Sequence, residues 1–322
     1  MNGLEDSLTL PREQNRERAA QLRGTKTKTL SGLKWRENLL AYAFLAPSLI
    51  LFAIFFFYPM IKSVYLSLHA TDLTGRVTGF VGLDNFDYLI KNDLFFQGLK
   101  ITVYFALLTV PTGILAALIL AAITSGKQRG LTIFQFAFSL PVVLSVGSSS
   151  VIWMFLYHPS LGMLNYFLSL LNLSPINWLI DPKRALLSVS LMTVWMNLGF
   201  NYIVLSSGLR GIPDEIRESA AIDGAGPVRT FVQILLPLLS PTLFFLAIVS
   251  VISSFQSFGQ INILTHGGPM NSTNVLVYSI YQEAFENFRF GTGSAQALVL
   301  FVIIVILTLV QFKWVEKKVH YQ

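Results

Sequence analysis

Long stretches without a charged residue alternate with short polar segments along this chain. The charge-free runs are Leu39–Ile61, Ile101–Gly126, Leu131–Ile180, Ala185–Leu209, Thr230–Gln282 and Phe290–Phe312. A helix that crosses a bilayer needs about 20 apolar residues, so each run can hold one span. Leu131–Ile180 is long enough for two, but Pro141, His158, Pro159, Gly162, Asn172, Pro175 and Asn177 interrupt it. The pattern predicts one span near Leu131–Leu156, then an exterior loop with a short interfacial helix near Leu161–Leu171. In Thr230–Gln282 the span is expected to end near Phe258, leaving Gly259–Gln282 as a polar, glycine-bearing exterior segment. The fold class expected is an all-α integral membrane protein with six transmembrane helices. The expected organisation is a charged, disordered tail over 1–36, a first transmembrane helix over 37–69 and an exterior loop over 70–99. A core over 100–316 then carries five more helices, and a short C-terminus occupies 317–322.

Hydrophobic residues make up 53% of the chain and charged residues 12%, about half the charge of an ordinary soluble domain. Lysine and arginine set the orientation. With the N-terminus inside, one face collects Arg12, Arg16, Arg18, Arg23, Lys26, Lys28, Lys34 and Arg36 of the tail. Lys127, Arg129, Arg210, Arg217, Arg229, Lys313, Lys317 and Lys318 join them. The other face receives Lys62, Arg76, Lys91, Lys100, Lys183, Arg184 and Arg289. This asymmetry predicts a multi-pass membrane protein with both termini in the cytoplasm. The net charge of +6 is topogenic on this view and calls for no nucleic acid. No short apolar stretch with a small-residue cleavage site precedes the first span, which is expected to act as an uncleaved signal anchor. The absence of cysteine excludes disulfides and thiol chemistry.

Catalytic constellations are scarce. His69, His158, His266 and His320 are scattered without metal-ligand spacing, so no metal site is expected. No phosphate-binding Gly-x-x-x-x-Gly-Lys-Ser/Thr loop is present. The spans lack the buried acids that ion-coupled carriers use. Enzymes, self-contained ATPases and ion-driven carriers are therefore disfavoured. Uncharged polarity is concentrated instead in Trp195, Asn197, Asn201 and Tyr202 of the fourth span, and in Ser250, Ser253, Ser254, Gln256, Ser257, Gln260 and Asn262 at the fifth. Ser253, Gln256 and Ser257 have helix-face spacing. Such residues either line a pathway or glue helices together. Trp195, Asn197, Asn201, Ser253, Gln256, Ser257 and Gln260 are the candidate pathway residues. The small residues Ser145, Gly147, Ser148, Ser149 and Ser150 suit close helix contact. Pro111 and Pro141 are expected to bend the second and third spans.

The segment 209–235 is the most informative. Pro213 can open a helix with Asp214 and Glu215 in its first turn, Gly224 and Gly226 interrupt it, and Pro227 can open a second helix. Two short helices meeting at a glycine bend make a knuckle that a partner can grip. Glu218, Ala220, Gly224, Ile234, Leu236 and Pro237 resemble the coupling-loop signature of ABC importer permeases, with Ser219 where that family usually has alanine. Phe80–Phe86, and Leu264-Thr-His-Gly-Gly-Pro269 with Thr273, are similar to exterior stretches of the carbohydrate-uptake branch, which handles maltose and glycerol-3-phosphate. Ala220–Pro227, Tyr278–Phe285 and Gln311–Gln322 sharpen the likeness toward the glycerol-3-phosphate permeases.

The resemblance implies a MetI-like, type I importer permease without its own ATPase site. Its implied partners are a second homologous permease, two ATP-binding subunits that hold ATP and Mg, an extracytoplasmic solute-binding protein and membrane lipid. It implies coupling to the ATPase through Glu218, Ser219, Ala220, Ala221, Asp223, Gly224 and Ala225. The solute implied is glycerol-3-phosphate or a glycerophosphodiester. A phosphate dianion should meet a basic residue or a helix N-terminus, and the inferred spans hold no basic residue. The field must then come from the partner permease or helix ends, or the solute is a neutral sugar. A secondary carrier, a membrane enzyme and a receptor-like membrane subunit are the remaining classes, and co-purification with an ATPase discriminates against all three.

Overall fold

The computed structural model describes residues 35, 38–126 and 130–315. The expected tail over 1–36, apart from Trp35, and the expected C-terminal segment over 317–322 therefore lie outside the described residues. Two compact units are distinguished, Met1–Lys62 and Ser63–Gln322. In the first, the described residues begin helix α1, Asn38–Ser67, whose apolar window has no buried residue in this chain and whose π-helical turn is Ala53–Phe57. Phe44, Phe55 and Tyr58 are among its exposed side chains, as a lipid-facing helix requires.

The second unit opens with a small antiparallel hairpin, β1 (His69–Thr71) and β2 (Val77–Phe80), in the register His69 to Phe80. Asp72 closes its turn by accepting from the amides of Thr74 and Arg76 and the Thr74 hydroxyl. Helix α2 (Asp84–Lys91) follows, then α3 (Asp93–Ile123), capped by the Asn92 side chain on the Leu94 amide. Next come α4 (Leu131–Val143, its last turn 3-10), α5 (Val146–Leu156), the short α6 (Met163–Leu170) and α7 (Ala185–Arg210). The chain continues through α8 (Asp214–Ile222), α9 (Pro227–Leu238), α10 (Ser240–Phe255), α11 (Gly259–Leu264), α12 (Leu276–Tyr281) and α13 (Phe290–Val315).

Four helices, α1, α3, α7 and α13, are each long and apolar enough to cross a membrane. The count reaches six when the bent pairs α4–α5 and α9–α10 are each taken as one span. The pairs turn through 107° and 68°, far more than a proline kink in a continuous helix. Pro141 lies in the 3-10 turn before the first break, and Leu144 and Ser145 are extended there. Pro111, by contrast, sits inside the uninterrupted α3. The two prolines thus differ: only Pro141 coincides with a broken span.

The core runs along α3 and α7 in three clusters. One joins Ile101 and Phe105 of α3 to Trp153 of α5, Met192 of α7, Ile261 of α11 and Tyr278 of α12. A second joins Ala117 and Ala121 to Tyr202, Leu205, Leu209, Leu235 and Leu246. The third joins Leu89, Phe95, Phe255, Leu276 and Ala295. Buried hydroxyls stitch the helices: Thr109 to Ser254 at 3.1 Å, Thr124 to the Tyr202 hydroxyl at 2.8 Å, and Thr102 accepting the Leu276 amide at 2.7 Å.

Gly259–Gln282, expected as a polar, glycine-bearing segment, is largely packed rather than exposed. It folds back into the unit as α11 and α12, and Ile261, Val275 and Leu276 are wholly buried. The reason is visible in retrospect as apolar residues scattered among the glycines, Ile261, Leu264, Val275, Leu276 and Tyr278, each of which finds a place in the core. Met163–Leu170 does form the short helix expected near Leu161–Leu171.

Candidate coupling site and solute pathway

The knuckle is built from local backbone rules. Pro213 is the N-cap of α8, and Asp214 and Glu215 lie in its first turn, where the helix dipole favours acids. The helix ends in a Schellman motif: the Ala225 amide donates to the Ala220 carbonyl at 2.9 Å and the Gly224 amide to the Ala221 carbonyl at 3.1 Å. Gly224 occupies the left-handed position with φ +76°, which glycine adopts without the steric cost of a Cβ. Pro227 then stands at the start of α9.

Successive residues of a helix turn by about 100°, so α8 presents three faces. Ile216 packs on the unit's own second cluster, and Ala220 on the adjoining side is buried, at 4% exposed. Arg217 and Ala221 face a cleft of about 630 Å³ that they share with Ala122, Ile123, Ala225 and Phe231. Glu218, Ser219, Ile222 and Asp223 form the free face, with Ile222 86% exposed. Arg217 also reaches back so that its Nη2 donates to the Leu209 carbonyl at 3.0 Å, tying α8 to the end of α7. An added Cβ on Gly224 would meet nothing within 4 Å. The free face and the glycine are therefore open, whereas Ala220 is already used inside the chain. Two contributors went unassigned from sequence: Arg217 as a tie, and Ile222 as the exposed aliphatic of the free face. A large aliphatic in an otherwise polar short helix is the signal that marks Ile222.

The candidate pathway residues divide. Ser253 and Gln256 are exposed in this chain, and Trp195 and Asn197 are half-buried. Asn201, Ser257 and Gln260 are buried. Helix α10 stops at Phe255, so Gln256 is its C-cap and Ser257 lies beyond it, its hydroxyl donating back to the Ser253 carbonyl at 3.0 Å. Of the three expected to share a helix face, Ser253 alone therefore lies within the helix, with Gln256 at its end and Ser257 just past it. Gln260 belongs to α11 and donates to the Thr193 hydroxyl of α7 at 3.3 Å. Neighbouring approaches are close: a Cβ on Gly259 of α11 would fall 2.9 Å from the Val146 side chain of α5, and one on Gly199 of α7 would fall 2.7 Å from the Val142 nitrogen of α4. Trp195 meets Trp153 edge-on with ring centroids 5.8 Å apart. Among the described residues no group of three or more His, Cys, Asp or Glu is placed to hold a metal.

Residues 101–321 match the family described as the binding-protein-dependent transport system inner membrane component. The chain is 36% identical over 288 residues to the sn-glycerol-3-phosphate transport system permease protein UgpA of Agrobacterium fabrum, covering 88% of this chain and 97% of the relative. It is 35% identical over 289 residues to the protein of that name from Pectobacterium atrosepticum, covering 89% and 98%. Among solved structures, a crystal structure of a bacterial ABC transporter involved in the import of the acidic polysaccharide alginate contains a chain of the same fold. Its TM-score is 0.78 at 23% identity, over 88% of this chain and 96% of that one.

Proposed function

We infer what this chain does from the family to which it belongs, the inner membrane components of binding-protein-dependent transport systems. It is a multi-pass permease subunit of an ABC importer, a transport component and not an enzyme. Its proposed role is to form half of a translocation pathway for sn-glycerol-3-phosphate or a glycerophosphodiester, the other half coming from a second, homologous permease. A solute-binding protein delivers the solute to the exterior face. Two ATP-binding subunits, holding ATP and Mg, grip the knuckle of each permease from the cytoplasm, where both termini of this chain also lie.

One observation carries the coupling role: a short helix packed against the core through Ile216 and tied to α7 through Arg217 offers a free face ending in a left-handed glycine. Glu218 and Asp223 on that side supply polar contacts to the ATPase, Ser219 lies with them, and Ala221, Gly224 and Ala225 allow close approach at the bend. Ala220 contributes by seating the helix on the core. When the ATPase pair closes, the Arg217 tie passes the movement of α8 to α7, which lines the seam with α5 and α11. That is alternating access driven from outside the membrane.

The relatives' substrate supports the phosphate ester, and the uncharged side chains of Asn197, Ser253 and Gln256 favour a second reading, a neutral mono- or oligosaccharide. Calorimetry on the cognate binding protein separates the two. Tight binding of glycerol-3-phosphate or a glycerophosphodiester is the expected result, and binding of a neutral sugar alone would overturn the phosphate reading.

A further inference from the structure

The phosphate reading leaves an electrostatic question, because an anion must cross a seam without basic side chains. Helix α5 bears on it. The helix begins at the 107° break, inside the bent α4–α5 pair, and Ser145 caps it by accepting the Ser148 amide at 3.1 Å. The amides of Val146 and Gly147 have no acceptor within the helix, so this end carries partial positive charge. Ser145, Val146 and Ser148 are exposed in this chain.

A second, independent feature lies just inside. Ser149 is fully buried, and its hydroxyl has no hydrogen-bond partner. The Ser206 and Ser272 hydroxyls are also enclosed and unpaired, but neither lies at a helix N-terminus beside a second unpaired donor. Thr102, Thr109, Ser150, Ser190 and Thr193 each donate to the carbonyl four residues back. Ser149 stands over an equivalent carbonyl, that of Ser145, yet does not use it. One turn further, Trp153 is 8% exposed and its indole N–H is also unpaired. Ser149 and Trp153 are four residues apart, so both lie on one face of α5, one and two turns in from its first amides. Buried donors without acceptors carry a desolvation cost that pairing would remove.

We propose that the N-terminal end of α5, with the Ser149 hydroxyl and the Trp153 indole N–H, receives the phosphate group of the solute during passage. The inference rests on the phosphate reading above and extends it by naming the group that replaces a basic residue. Free amides and an indole N–H only donate, the Ser149 hydroxyl can donate or accept, and an ionised phosphate oxygen only accepts. Donors thus predominate, and the partial positive charge of the helix end favours the anion over a neutral sugar. In the present packing the two side chains are enclosed. The break at Leu144 and Ser145 is the joint at which α5 parts from α7 and α11 to admit the solute.

The test uses the whole importer, with its binding protein, second permease and ATPases, reconstituted in liposomes. Uptake of labelled sn-glycerol-3-phosphate is compared for wild type, Ser149→Ala and Trp153→Phe, alongside the thermal stability of each complex. Each variant should lower kcat/KM about tenfold or more, the size of one hydrogen bond to a charged group. Ser149→Ala should do so at unchanged or higher melting temperature, because it deletes an unpaired hydroxyl. A purely structural role predicts the reverse, a fall in melting temperature in step with uptake, and would overturn the proposal. Wild-type uptake of glycerol-3-phosphate with normal rates in both variants would overturn it while leaving the phosphate reading intact. Failure of the wild type to take up glycerol-3-phosphate or its diesters would remove the phosphate reading and this site with it.

Discussion

Gly224 shows how much one backbone angle decides. At φ +76° any residue with a Cβ is strained by about 1–2 kcal/mol, although nothing in this chain crowds the position. The open space and the required conformation together suit the joint proposed for the ATPase. Gly224→Asp adds that strain, a side chain and a charge to the joint, and should abolish solute-stimulated ATP hydrolysis or capture of the ATPase. Wild-type uptake by this variant would remove the coupling role. The Gly-Ala-Gly-Pro string made the bend legible in sequence, because each residue has a local backbone reason to be there. The tie from Arg217 to the Leu209 carbonyl was not legible, since it spans two helices whose angle no local pattern states.

At the scale of elements, α12 is the instructive case. Its residues follow a glycine-rich turn, yet Leu276 is fully buried and its amide is held by the Thr102 hydroxyl of α3 at 2.7 Å. The first amides of a helix have no acceptor within it, and this one is met from another element. Thr102→Val should leave that buried N–H unpaired, at a cost of about 1–3 kcal/mol, and lower the melting temperature of the purified complex. Thr102→Ser should restore it, and an unchanged melting temperature in the valine variant would show that the bond contributes nothing. The same dependence on partners explains the broken spans. Hydropathy finds α4–α5 and α9–α10 as apolar lengths, but the 107° and 68° turns come from how each half packs. At the first of these, Gly199 lets α7 approach the backbone of Val142 and Ser139.

For the whole molecule the governing facts are the lipid-facing surface and the placement of charge. The chain has no cysteine, so Glu218→Cys supplies a single thiol on the knuckle. A membrane-impermeant maleimide should label it in inverted vesicles and not in intact spheroplasts, and the opposite pattern would invert the topology and detach the knuckle from any cytoplasmic ATPase. Sequence alone determined that this is a helical membrane protein, where its apolar lengths lie and where the glycine knuckle falls, because bilayer thickness, helix rise and backbone preferences act within a few consecutive residues. Only the tertiary structure decided which polar side chains are enclosed, that Gln260 pairs with Thr193 while the Ser149 hydroxyl and the Trp153 indole N–H have no hydrogen-bond partner, and that α11 and α12 enter the core. Those outcomes depend on contacts between residues far apart in the chain, where periodicity carries no information about which partner is met.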